Sequence, residues 1–231
     1  MKRIILLWSL VLVALVAAQG VPLVRKAKVG DSATYDLKMD LVLFGDVAVY
    51  TSKMTEKVVE VTPDGTISIE KSQTDYKAQL FGDEATVLDQ DMPKPVYSWD
   101  SKGVLVGIKS ELQKAEVYRM AEFEAVRLPA KAVSVGDTYS VEVAANAKFG
   151  THKAKADYKI EAQEKVGNYD TFVASFTYAE QIPDDPASST GKVWINKEDG
   201  SVVKLEAAWT NVPIPGAPAQ TTGNIKLERT G

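Results

Sequence analysis

The chain has 231 residues, 45% of them hydrophobic, with 27 Lys and Arg against 31 Asp and Glu, a formal charge of −4, one histidine and no cysteine. That mild acidity speaks against a nucleic-acid partner, which requires a clustered basic face. Without cysteine there are no disulfides, no thiolate metal ligands and no lipid carried on an N-terminal Cys, so the fold must hold by packing alone.

Met1-Lys2-Arg3 is followed by a run from Ile4 to Ala18 broken only by Ser9. Two cations before about fifteen mainly apolar residues have the layout of a secretory signal. Val16-Ala17-Ala18 supplies the small side chains read at cleavage, which predicts a cut before Gln19. The run is shorter than the roughly 20 apolar residues of a membrane span. The expected destination is therefore the periplasm or the medium, with no stable membrane anchor after cleavage. Residues 19–231 are expected to form one β-rich domain.

Beyond the leader the dominant period is two. Tyr35, Leu37, Met39 and Leu41 alternate with Thr34, Asp36, Lys38 and Asp40, and Ala154 to Ala162 alternates with Lys153 to Glu161 in the same way. Further runs of this kind cover Ile67–Ile69, Tyr139–Ala145, Phe172–Tyr178 and Val203–Trp209. Such alternation reads as strands with one buried face. Phe44-Gly45-Asp46, Pro63-Asp64-Gly65, Lys102-Gly103 and Asp199-Gly200 supply turns between them. Strands joined by such short turns pair antiparallel. The predicted class is mostly β: an antiparallel curved sheet, half-barrel or sandwich of roughly ten strands. A helix is predicted between the halves, over Ser110–Arg127, with Ser110 and Gln113 as a capping box and Pro129 as the stop. Leu112, Ala115, Phe123 and Val126 share one face of it, and Arg119 falls among them.

Landmarks recur in order. Val29-Gly30-Asp31-Ser32 returns as Val135-Gly136-Asp137-Thr138, Phe44-Gly45 as Phe149-Gly150, and Trp99 with Lys102 as Trp194 with Lys197. They suggest two related halves, 29–128 and 135–231.

Candidate chemistry is sparse. Any Ser-His-Asp triad would have to use His152, the single histidine. Ser68-x-x-Lys71 spells a serine acyl-enzyme motif, but on a strand a separation of three puts the two side chains on opposite faces. Asp89-x-Asp91 and Asp184-Asp185 lack the spacing of a calcium loop. Thr190-Gly191-Lys192 lacks the remainder of a phosphate loop. No catalytic residue, metal site or cofactor is predicted. Trp99, Trp194 and Trp209, with Tyr35, Tyr139 and Tyr178, are the candidates to line a ligand-binding concavity; core and hairpin packing would account for the same residues.

The segment from Leu128-Pro129 through Val133 to Val135-Gly136-Asp137-Thr138-Tyr139 resembles a group of exported bacterial β-proteins with an LP-x-x-x-V-x-VGD-[ST]-[WY] signature and no assigned activity. In architecture, a curved sheet with a helical lid is similar to the lipoprotein-carrier (LolA/LolB-like) superfamily, whose members hold an acyl chain in an apolar concavity. Architecture alone does not fix function. Three classes follow as expectations: a non-enzymatic binder of an apolar, lipid-like ligand or an envelope protein; a structural or interaction module of the envelope; and a hydrolase with scattered carboxylates.

Overall fold

The computed structural model describes residues 20–80, 82–86, 92–111, 114–215 and 220–231. The expected signal segment and the Asp89-x-Asp91 pair lie outside the described residues. In chain order the strands are β1 (Ser32–Leu43), β2 (Asp46–Val61), β3 (Ile67–Leu80), β4 (Asp83–Thr86), β5 (Val96–Trp99) and β6 (Leu105–Lys109). Helix α1 (Ala115–Glu124) comes next, and then β7 (Thr138–Val143), β8 (Ala154–Val166), β9 (Tyr169–Glu180), β10 (Ser188–Asn196), β11 (Val202–Val212) and β12 (Thr221–Arg229).

All twelve strands belong to one open sheet in the order β6-β5-β3-β2-β1-β12-β11-β10-β9-β8-β7, with β4 paired to β3. Every pairing is antiparallel. Among the described residues there is one open sheet, not closed into a barrel, and no second sheet, so the sandwich is not realised. The two meanders meet at a central seam, where β1 pairs with β12 from Tyr35↔Arg229 to Leu41↔Gly223.

Period-two alternation places one residue set on the inner face. Leu37, Leu227, Leu205, Val193, Ala174 and Ile160 stand opposite one another across six successive strands, β1, β12, β11, β10, β9 and β8. All but the half-buried Leu227 are buried, and all belong to or pack against one apolar cluster. Each fully buried aliphatic side chain contributes about 1.5–3 kcal/mol relative to exposure. One register step away, Tyr139, Tyr158 and Phe176 stack across β7, β8 and β9, with ring centroids 4.7 and 5.9 Å apart.

The helix is shorter than its sequence signals. It begins at Ala115, with Lys114 rather than Ser110 in the N-cap position and no side-chain cap there, and it ends at Glu124; Leu112 and Gln113 lie outside the described residues. The Arg127 guanidinium folds back and donates to the carbonyls of Glu122 and Ala125, both at 2.8 Å, and to the Glu122 carboxylate. A cation on the last carbonyls both satisfies them and complements the helix dipole. Arg127 itself is 1% exposed, an unusual burial for arginine.

The strap 20–28 crosses one end of the sheet. Val21 bridges Val133, Leu23 enters the core, and the Lys26 amide donates to the Asp199 carbonyl at 2.9 Å. The two Val-Gly-Asp turns share a hydrogen-bond set. Gly30 and Gly136 each sit at φ 95 and donate to Val58 and Ile160 carbonyls, and Asp31 and Asp137 carboxylates accept from Lys28 and Ser134 amides at 2.7 Å.

Candidate ligand-binding site

Part of the inner face of the sheet is not filled by its own side chains. Between the sheet and the C-terminal half of α1 lies a cavity of about 500 Å3, in the range of small-molecule sites. Its apolar wall comes from both meanders, with Leu37, Leu41, Ile69, Trp209, Ile225 and Phe123 as main contributors. Met120, Phe123 and Val126 line it from the helix side.

One stretch of wall is charged. Lys71 on β3 reaches Glu124 of α1 at 2.8 Å and Glu56 of β2 at 3.4 Å, and its ammonium lies 5.2 Å from the Tyr97 ring centre. Burial works to lower the Lys71 pKa, but Glu124 and Glu56 outweigh it and hold the ammonium above the usual lysine value. A lysine kept protonated is a poor nucleophile, which disfavours Schiff-base chemistry here. Ser68, three residues earlier, faces the other way and pairs with Ser98 at 2.9 Å. The two carboxylates serve as partners of one ammonium. Among the described residues no group of three or more His, Asp or Glu side chains is arranged to hold a metal ion.

The six aromatic candidates divide evenly. Tyr35, Trp99 and Trp209 line the cavity; the Tyr35 hydroxyl is spent on the Val202 carbonyl at 3.1 Å. Tyr139 and Tyr178 are core residues beside it. Tyr139 stacks on Tyr158 and donates to the Arg127 carbonyl at 3.0 Å, while Tyr178 meets Phe123 edge-on and the Arg127 guanidinium at 5.0 Å. Trp194 lies on the opposite face, with Val173 and Val203, and donates to Glu164 at 2.8 Å. Trp99 and Trp194 therefore do not occupy matching positions. Trp99 stands opposite Ile67 on the cavity face of β3, whereas Trp194 pairs with Val173 on the outer face of β9.

Tyr97, Lys71, Glu56 and Ser189 are among the wall residues that periodicity did not single out. Tyr97 lies two residues from Trp99 on the same face, a signal that was available. Lys71 and Glu56 read as ordinary polar strand positions until α1 is placed over them.

Among the described residues no helix is long and apolar enough to cross a membrane. No protein-family model matches the chain, and no curated protein does. A search of solved structures finds a Bacteroides fragilis protein thought to be exported, with a YmcC-like fold, at 11% identity and a TM-score of 0.40 over 91% of this chain and all of that one. At that score the likeness says nothing of function.

Proposed function

We propose that this protein is an exported, non-enzymatic binder that holds an apolar, elongated ligand in the curve of its sheet. The supporting observation is the cavity of about 500 Å3 kept open between sheet and helix with a largely aliphatic and aromatic wall. A fold with no other use for the space would gain by filling it, since empty apolar volume destabilises. The support is the cavity itself, with no kinship to lipoprotein carriers behind it.

The three tryptophans beyond the leader give a direct test. In the Trp194→Phe variant only Trp99 and Trp209 remain, both on the cavity wall. Titration with dibromostearate, whose bromines quench nearby indoles, is expected to give saturable loss of most of that emission. Absence of saturable quenching would remove the proposal.

A second reading is favoured by the β1–β2 hairpin, where Val42, Phe44 and Val47 are 43%, 77% and 59% exposed. On this reading an envelope protein docks on the apolar tip. Native mass spectrometry of material taken from its own envelope separates the two: retained lipid supports the first, a retained protein the second.

We also propose that 29–128 and 135–231 descend from one duplicated unit, on the strength of the matching Val-Gly-Asp turns. Asp31→Ala and Asp137→Ala are then expected to cost similar amounts, about 1 kcal/mol each by chemical denaturation. Costs differing several-fold would count against equivalence.

A further inference from the structure

Ser189 differs from the other polar groups of the cavity wall. It sits on the inner face of β10, in register with Tyr178 of β9 and Trp209 of β11. It is 1% exposed, and its hydroxyl has no hydrogen-bond partner among the described residues, although it lines the cavity. Buried hydroxyls are nearly always paired, because leaving one unpaired forfeits its hydration without return. Packing alone would be served as well by alanine, the residue found at Ala207 one register step away on the same face. Phe176, Ala207 and Trp209 line the cavity beside Ser189, so one unpaired hydroxyl lies in an otherwise apolar stretch of the wall. Lys71 differs, since two carboxylates already hold its ammonium.

We infer that the cavity selects an apolar chain bearing a hydrogen-bonding group along its length, such as a hydroxyl, ester or amide, and that this group meets Ser189 between Tyr178 and Trp209. The inference rests on the reading of the cavity as a ligand site and specifies the ligand class. A serine hydroxyl both donates and accepts, so each of these groups can complete it. A plain hydrocarbon chain fills the same space but leaves the hydroxyl unpaired, and a site built to hydrogen-bond discriminates against such a chain.

The test compares stearate with a positional series of monohydroxystearates, each displacing dibromostearate from the protein. At least one isomer is expected to bind about tenfold more tightly than stearate, the worth of one good hydrogen bond. Ser189→Ala should abolish that preference and leave stearate affinity within about twofold. Thr190→Ala, at the exposed neighbour on the outer face, should keep it. Cooperative unfolding of both variants confirms that they fold. Binding of stearate with no hydroxyl preference, or a preference that survives Ser189→Ala, overturns this inference alone. No binding by any chain overturns the ligand-site reading along with it.

Discussion

Several tyrosine hydroxyls in this protein are held away from water, and their chemistry sets its behaviour in alkali. Burial is the main cause of raised pKa values at Tyr35, Tyr76, Tyr97, Tyr139 and Tyr178, with Tyr76 and Tyr97 pushed up to about 12. In the unfolded chain the same groups titrate near 10. Above that pH the native state binds more protons than the unfolded state, so stability falls as pH rises. Lys71, also raised, adds in the same direction. Denaturant midpoints are therefore expected to be flat up to about pH 9 and to fall steeply between about 10 and 12. Tyrosinate absorbance should appear together with loss of structure; full titration near pH 10 in a folded protein would contradict the burial. At this scale the sequence was half legible. Alternation identified Tyr35 and Trp209 as inward, but Arg127 and Ser189 could not be found that way. A buried charge or an unpaired hydroxyl is defined by partners distant in sequence, and a pattern of apolar residues carries no record of them.

At the scale of elements, α1 is attached by charge as well as by the apolar packing of Val117, Tyr118, Ala121 and Phe123. Arg119 makes two bonds to Glu180 of β9 at 2.8 and 2.6 Å, Glu124 holds Lys71, and Glu122 holds Arg127. Arg119 reads as an interruption of the apolar face, but in the fold it is the helix's grip on the sheet. Arg119→Ala would leave the Glu180 side chain, 2% exposed, without its counter-charge. A loss of about 3–5 kcal/mol is expected. Amide hydrogen exchange over 115–124 should accelerate more than in β1 to β3, and uniform acceleration would mean that the helix is not a separable unit. The presence of this helix was legible from its composition. Its limits were not, because Arg127 closes it from beyond its own end.

For the whole molecule, the antiparallel all-β class followed from period-two alternation and short turns, whereas the central seam did not. Nothing local marks β1 and β12 as neighbours, since their pairing joins residues almost two hundred positions apart. The seam also ties Thr34 to Gly231 and Thr230 through backbone bonds of 2.9 and 2.8 Å. Deleting residues 221–231 is expected to abolish the cooperative unfolding transition, leaving β1 an unpaired edge and the cavity without Ile225 and Leu227. A truncated protein that still unfolds cooperatively would show that the first meander stands alone.

That seam also sets an order in time. A ribosome delivers β1 first and β12 last, yet the two are adjacent at the middle of the sheet. The early strands can form hairpins as they emerge, but their ladder stays open on one side until β12 follows. Closing so long a loop is slow compared with forming local turns. The first meander thus remains pliable until β12 arrives, and the cavity, which spans the seam, is completed only then.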